Sequence, residues 1–123
     1  MLWVMGTAAT ERVDIIDETF IDASAVRLAA TFADPRNHPL WWPHLQLVLQ
    51  ADRGASGSQW RITGAIEGSM EIWLEPHWEG AIVHHYVRGV CPAGAGRQIR
   101  HRHALRWKAA VNALKDRIES LPE

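Results

Sequence analysis

Trp107, Val111, Leu114, Ile118 and Leu121 recur at i, i+4, i+7, i+11 and i+14, so they form one apolar stripe on a helix whose other faces are mostly polar. A helix with a single apolar stripe must lay it against another element. From about His103 to Leu121 it would be roughly 28 Å long, enough to cross a small sheet. The preceding residues supply that sheet. Val13, Ile15, Thr19 and Ile21 alternate with Asp14, Ile16, Glu18 and Phe20, with Asp17 the one residue out of pattern. Further strands are expected over 45–52, 59–66, 70–75 and 81–89, broken by Arg53–Gly57, by a tight turn at Gly68 and by a hairpin loop at Pro76–Gly80. Between the first and second strands, Val26, Ala29, Ala30 and Ala33 repeat at helical spacing behind a cap at Asp22 or Ser24. Pro35 ends that helix, and a proline-punctuated turn or short helix carries Trp41 and Trp42.

Short connections favour antiparallel pairing. The expected fold is therefore α+β: a curved antiparallel sheet of five to seven strands gripping a long C-terminal helix, with two short helices near the N-terminus, in a single domain over 1–123. Seven Trp beside two Phe and one Tyr concentrate the aromatic surface in the largest side chain, whose N–H needs a partner when buried. The single cysteine, Cys91, excludes an internal disulfide and a cysteine-rich zinc site. With no basic leader and no apolar run near the ~20 residues of a membrane span, a cytoplasmic protein without membrane insertion is expected.

Four stretches are similar to the START-like, helix-grip superfamily of polyketide cyclase/dehydrase and lipid-transport proteins. They are Asp17-Glu-Thr-Phe-Ile-Asp-Ala-Ser24 with Val26, Ala33-Asp-Pro-Arg-Asn-His-Pro-Leu-Trp-Trp-Pro43, Gly68-Ser-Met-Glu-Ile-Trp-Leu-Glu-Pro76 with Gly80, and Trp107 through Glu119. The resemblance implies a small hydrophobic ligand, such as a lipid, polyketide or isoprenoid, held between sheet and helix. It departs from the family in showing about four strands, rather than six, between the second helix and the last.

Walls of such a cavity would come from Trp41, Trp42, Trp60, Ile62, Met70, Ile72, His85, Trp107, Val111 and Leu114, the same residues that would otherwise simply fill a core. The register of the late hairpin decides what joins them. If Met70, Ile72 and Leu74 pair inward with Val83, His85 and Val87, one histidine faces the cavity and Glu71, Glu75, His84, Tyr86 and Arg88 lie outside. Apolar matching favours this register. The other register puts His84, Tyr86 and Arg88 inside as base, phenolic donor and cation, the equipment of a cyclase or dehydratase.

Seven histidines raise the question of a metal. Adjacent His84 and His85 diverge on a strand, His101 and His103 converge only if extended, and no carboxylate stands near at ligand spacing. No metal site is expected, and no cofactor, since Gly94-Ala95-Gly96 lacks the frame of a phosphate loop.

Charge is divided along the chain: residues 1–96 carry six Arg and eleven acids (6 − 11 = −5), and residues 97–123 seven bases and three acids (7 − 3 = +4). The basic run Arg97–Lys108 could bind RNA or a ribosome, although pairing with the acidic part of the chain is the favoured expectation over a nucleic-acid partner. Trp3, Trp73 and Trp78 fall outside the expected core, and a truncated sheet leaves edges to cover, so a homodimer through the Trp73 face is expected.

Overall fold

The computed structural model describes residues 9–121. Five strands, β1 (Thr10–Ile21), β2 (Leu45–Asp52), β3 (Gly57–Gly64), β4 (Glu67–His77) and β5 (Gly80–Pro92), form one antiparallel sheet in the order β1-β5-β4-β3-β2. Among the described residues there are three α-helices, α1 (Ala25–Ala33), α2 (His38–Trp41) and α3 (Gly96–Glu119), and one 3-10 turn at Gly54–Ser56. This is the α+β class read from the sequence, at the lower end of the expected strand number. Four strands separate α2 from α3, so the shortfall against six is real. Trp3 lies outside the described residues.

One face of the sheet is covered in two halves, α3 lying against β1 while α1 packs on β3 and β4. The local causes are legible. Ser24 Oγ accepts the Arg27 N–H and starts α1. In β1 the residue out of pattern, Asp17, sits on the inner row because α3 needs it: its carboxylate accepts the Trp107 indole N–H at 3.0 Å and pairs with Lys108 at 2.8 Å. The apolar stripe predicted for α3 is buried through Trp107, Val111, Leu114 and Ile118, whereas Leu121 lies beyond the helix and is exposed.

Strand ends shift by a few residues from expectation, to Gly57–Gly64, Glu67–His77 and Gly80–Pro92, and two further differences have a clear physical reason. The helix begins at Gly96, not near His103, and spans about 36 Å. Its N-terminus is supported from β1, where Glu11 Oε1 accepts the N–H groups of Gly94 and Gly96 at 3.0 and 2.5 Å. That carboxylate offsets the bases gathered in the first turns. Gly68 is not a turn residue. It pairs with Gly89 inside β4, where a Cβ would stand 2.1 Å from the Arg88 carbonyl oxygen, so glycine is required by close approach of two strands.

The hairpin takes the register that apolar matching favours: Met70 pairs with Val87, Ile72 with His85 and Leu74 with Val83, all buried on the helix side. His84, Tyr86 and Arg88 lie on the outer face. The inward trio on which a cyclase or dehydratase reading depended does not form.

Candidate functional site

Every expected wall residue is buried: Trp41, Trp42, Trp60, Ile62, Met70, Ile72, His85, Trp107, Val111 and Leu114. The rings pack on one another. Trp42 stacks on His85 and on Trp107, with centroids 5.6 and 5.7 Å apart, and also meets Trp60 at 5.7 Å. Trp107 completes the group against Phe32 and His85. One atom in this interior is at odds with its surroundings. Trp42 is 1% exposed, and its indole Nε1–H has no hydrogen-bond partner among the described residues, although a buried donor left unpaired costs about 1–3 kcal/mol.

Beside this stack lies a chain of imidazoles that spacing along the sequence does not reveal. His85 Nδ1 lies 3.3 Å from the Glu71 carbonyl oxygen, His85 Nε2 lies 2.9 Å from His103 Nε2, and His103 Nδ1 lies 2.8 Å from His44 Nε2. The carbonyl can only accept, which sets every tautomer when the rings are neutral. His85 carries its hydrogen on Nδ1 and accepts at Nε2; His103 donates from Nε2 and accepts at Nδ1; His44 donates from Nε2 and keeps a bare Nδ1. Burial pushes both His85 and His103 down to about 3, so the two inner rings are neutral at ordinary pH. His44 is half-buried and is lowered as well, by burial first and by the Arg106 guanidinium second.

The outer end of the chain borders a cavity of about 180 Å³ lined by His44, Ala65, Ile99, Arg102, His103 and Arg106. It forms where the first half of α3 passes the α2–β2 and β3–β4 turns. Those turns are tied together: the Ala65 N–H donates to the His44 carbonyl at 3.1 Å. Gly64, at φ +104°, permits the contact, since a Cβ there would come within 2.6 Å of that carbonyl oxygen. Arg102 and Arg106 rise one turn apart on α3, and neither makes an ion pair or a side-chain hydrogen bond among the described residues. Two unpaired guanidiniums, a bare imidazole nitrogen and the apolar Ala65 and Ile99 make a mouth suited to an anionic group on an apolar body.

The three imidazoles run in line, with His103 spending one nitrogen on each neighbour, rather than converging on a point. No group of three or more His, Cys, Asp or Glu residues among the described residues is arranged to hold a metal ion. Another depression, of about 310 Å³, lies between α1 and the β2–β3 edge, where Pro35, Leu47, Leu49 and Trp60 contribute.

Sequence reasoning did not find His44, Arg102, His103 or Arg106 as a group. A signal for His103 existed, because it stands four residues before Trp107 and extends the buried stripe by one turn. His44 carried none, since only the fold brings it to α3. The basic run also departs from expectation. Only Lys108 finds an acid; Arg97, Arg100, Arg102 and Arg106 make no ion pair among the described residues and remain exposed.

No family model matches this chain. No curated protein matches it. A crystal structure of a structural-genomics target from Deinococcus radiodurans is similar, with a TM-score of 0.57 and 20% identity over 79% of this chain and 95% of that one. The likeness is one of fold: an α+β domain with an antiparallel sheet and a helix laid across it. Among the described residues no helix is long and apolar enough to cross a membrane.

Proposed function

We propose that the chain is a small-molecule binding protein of the helix-grip, START-like kind, taking a ligand with an apolar body between the sheet and α3. The observation that carries this reading is the mouth at His44, Ala65, Ile99, Arg102, His103 and Arg106, which adjoins a buried ring stack containing an unpartnered Trp42 N–H. A cavity of about 180 Å³ is smaller than the ~300 Å³ at which ordinary ligand sites begin. A compact aromatic or short-chain ligand fits that size, and a longer lipid or polyketide needs the ring stack to part.

Thermal denaturation against fatty acids, aromatic polyketides and isoprenoids tests it. A ligand at a hundredfold excess over its Kd stabilises by about 2.7 kcal/mol, which for a domain of this size raises Tm by on the order of 10 °C. Loss of that shift in Arg106→Gln places the ligand at the mouth, and its retention moves it to the depression beside Trp60. No shift across the panel defeats the reading.

A cytoplasmic setting accompanies this reading, the lone buried thiol of Cys91 being suited to a reducing compartment. So does a homodimer through the outer sheet face, where Ile16 and Phe20 of β1 and Trp73 of β4 are exposed. A second reading has its own support: four exposed arginines of α3, Arg97, Arg100, Arg102 and Arg106, make no ion pair among the described residues and suit a phosphate backbone. RNA binding through them falls steeply with salt, and its absence at low salt removes this reading.

A further inference from the structure

The mouth and the imidazole chain together define more than a shape. We propose that the site binds an organic anion together with a proton, the anion held by Arg102 and Arg106 and the proton taken at His44 Nδ1. This rests on the reading of the mouth as a ligand site, and it names the ligand class: small carboxylic acids or other monoanionic acids with an apolar body.

The Glu71 carbonyl fixes a hydrogen on His85 Nδ1, and the two short N···N contacts carry that choice outward through His103 to His44. The nitrogen left able to accept a proton is on His44, the outermost ring and one of the two that line the cavity. His44 is therefore a base of fixed orientation. A proton gained at Nδ1 can also move inward: the N–H bond at His44 Nε2 breaks as one forms at His103 Nδ1, and the next transfer runs from His103 Nε2 to His85 Nε2. Each step conserves charge and leaves the rings in place.

The groups facing this chain are few. From α3 come Arg102, Arg106 and His103; from the α2–β2 turn, His44; from β5, His85; from β4, only the Glu71 backbone carbonyl. The β3–β4 turn offers Ala65, which does not titrate. Asp17 of β1 is occupied by Trp107 and Lys108. Among the described residues no carboxylate pairs with His44, so in the empty site its proton is opposed by burial first and by the Arg106 guanidinium second. An anion seated on Arg102 and Arg106 reverses the local field and favours the proton. Binding and protonation then assist one another, and anion affinity rises as pH falls through the value His44 has in the complex, levelling below the value it has in the free protein.

Benzoate, with benzamide as its uncharged partner, is the probe. Calorimetric titration at several pH values between 5.5 and 8, in two non-anionic buffers of different ionisation enthalpy, reads affinity and proton uptake together. The expected result is uptake approaching one proton per benzoate, affinity rising up to tenfold per pH unit over part of that range, and at least tenfold weaker binding of benzamide. His44→Gln should lose both the proton uptake and the pH dependence of benzoate affinity. Nitrogen chemical shifts of the free protein should show hydrogens on His85 Nδ1, His103 Nε2 and His44 Nε2. Benzoate bound without proton uptake, or with uptake unchanged in His44→Gln, overturns this inference and leaves the mouth a ligand site. No binding of benzoate, benzamide or the lipophilic panel overturns both.

Discussion

His84 and His85 are consecutive residues of β5, 5% and 0% exposed, yet strand alternation puts them on opposite faces of one sheet. His84, on the outer face, lies under the Trp73 ring at 4.2 Å, bonds Glu75 at 3.0 Å and Tyr86 at 3.1 Å, and has Glu18 at 3.5 Å. Its carboxylates are partly exposed and can turn to water. His85, on the inner face, packs against Trp42 and Trp107 and bonds no carboxylate among the described residues; its polar needs are met by a carbonyl and another histidine. The same side chain is accommodated in one place by charge at the rim of solvent and in the other by a fixed chain of neutral hydrogen bonds. Only the second arrangement ties a buried proton inventory to the outside.

Acid is the strongest way to break the inner arrangement. In the unfolded chain a histidine takes a proton below about pH 6.5. In the folded protein His85 and His103 take theirs only near 3. The unfolded state thus binds more protons throughout that window, so stability is complete above about pH 6.5 and is lost as pH falls toward 3. The slope is about 1.4 kcal/mol per pH unit for each histidine, or roughly 2.7 for the two while neither is charged in the native state. Across the window that loss is of the same order as a domain's whole stability of ~5–15 kcal/mol, so the domain is expected to weaken steeply in acid. Urea midpoints at pH 7.5, 6 and 5 should fall steeply. The His85→Leu, His103→Leu double variant should flatten the curve; an unchanged slope would assign acid lability to other groups.

Removing single members sharpens the contrast. His103→Ala opens a hole in the core and leaves His85 and His44 each short of a partner, which should cost about 2–4 kcal/mol at pH 7.5. His84→Ala leaves Glu18, Glu75 and Tyr86 free to bond water, so about 1–2 kcal/mol is expected. Equal losses in denaturant titrations would mean that the outer cluster is as dry as the inner one.

The two faces were not equally legible in the sequence. Alternation of Met70, Ile72 and Leu74 with Glu71, Trp73 and Glu75 was enough to choose the hairpin register, because a slip by one residue would bury both carboxylates. Asp17 was readable only as a flaw in a strand, since its reason is an indole on a helix ninety residues away. The inner histidine chain was hidden for a related cause. His44, His85 and His103 come from a turn, a strand and a helix, and no one-dimensional spacing joins them. The helix start was misplaced by about seven residues because the cap that permits a basic first turn is Glu11, on β1.

The smallest effect expected concerns Trp73, and it separates a self-contained outer face from a shared one. Trp73 is 37% exposed and already has a partner in His84, so it is not a bare aromatic. On the edge strand β1, which β5 separates from β4, Ile16 is 68% exposed, and Phe20 at 36% has the His77 ring and the Lys115 ammonium against it. A second copy related by a two-fold axis would bring these residues over its own Trp73 face and shield both. In the monomer Trp73→Ser removes one ring stack and a half-exposed surface, worth about 1 kcal/mol or less. In a dimer the same change acts on both subunits at the contact, and its effect on assembly exceeds its effect on folding. Sedimentation equilibrium at micromolar protein should therefore give a dimer mass that falls to the monomer in Trp73→Ser, while the far-ultraviolet spectrum stays unchanged. A monomer mass for both proteins would mean that Trp73 serves only as the lid of His84, and that the outer face closes on itself as the inner one does.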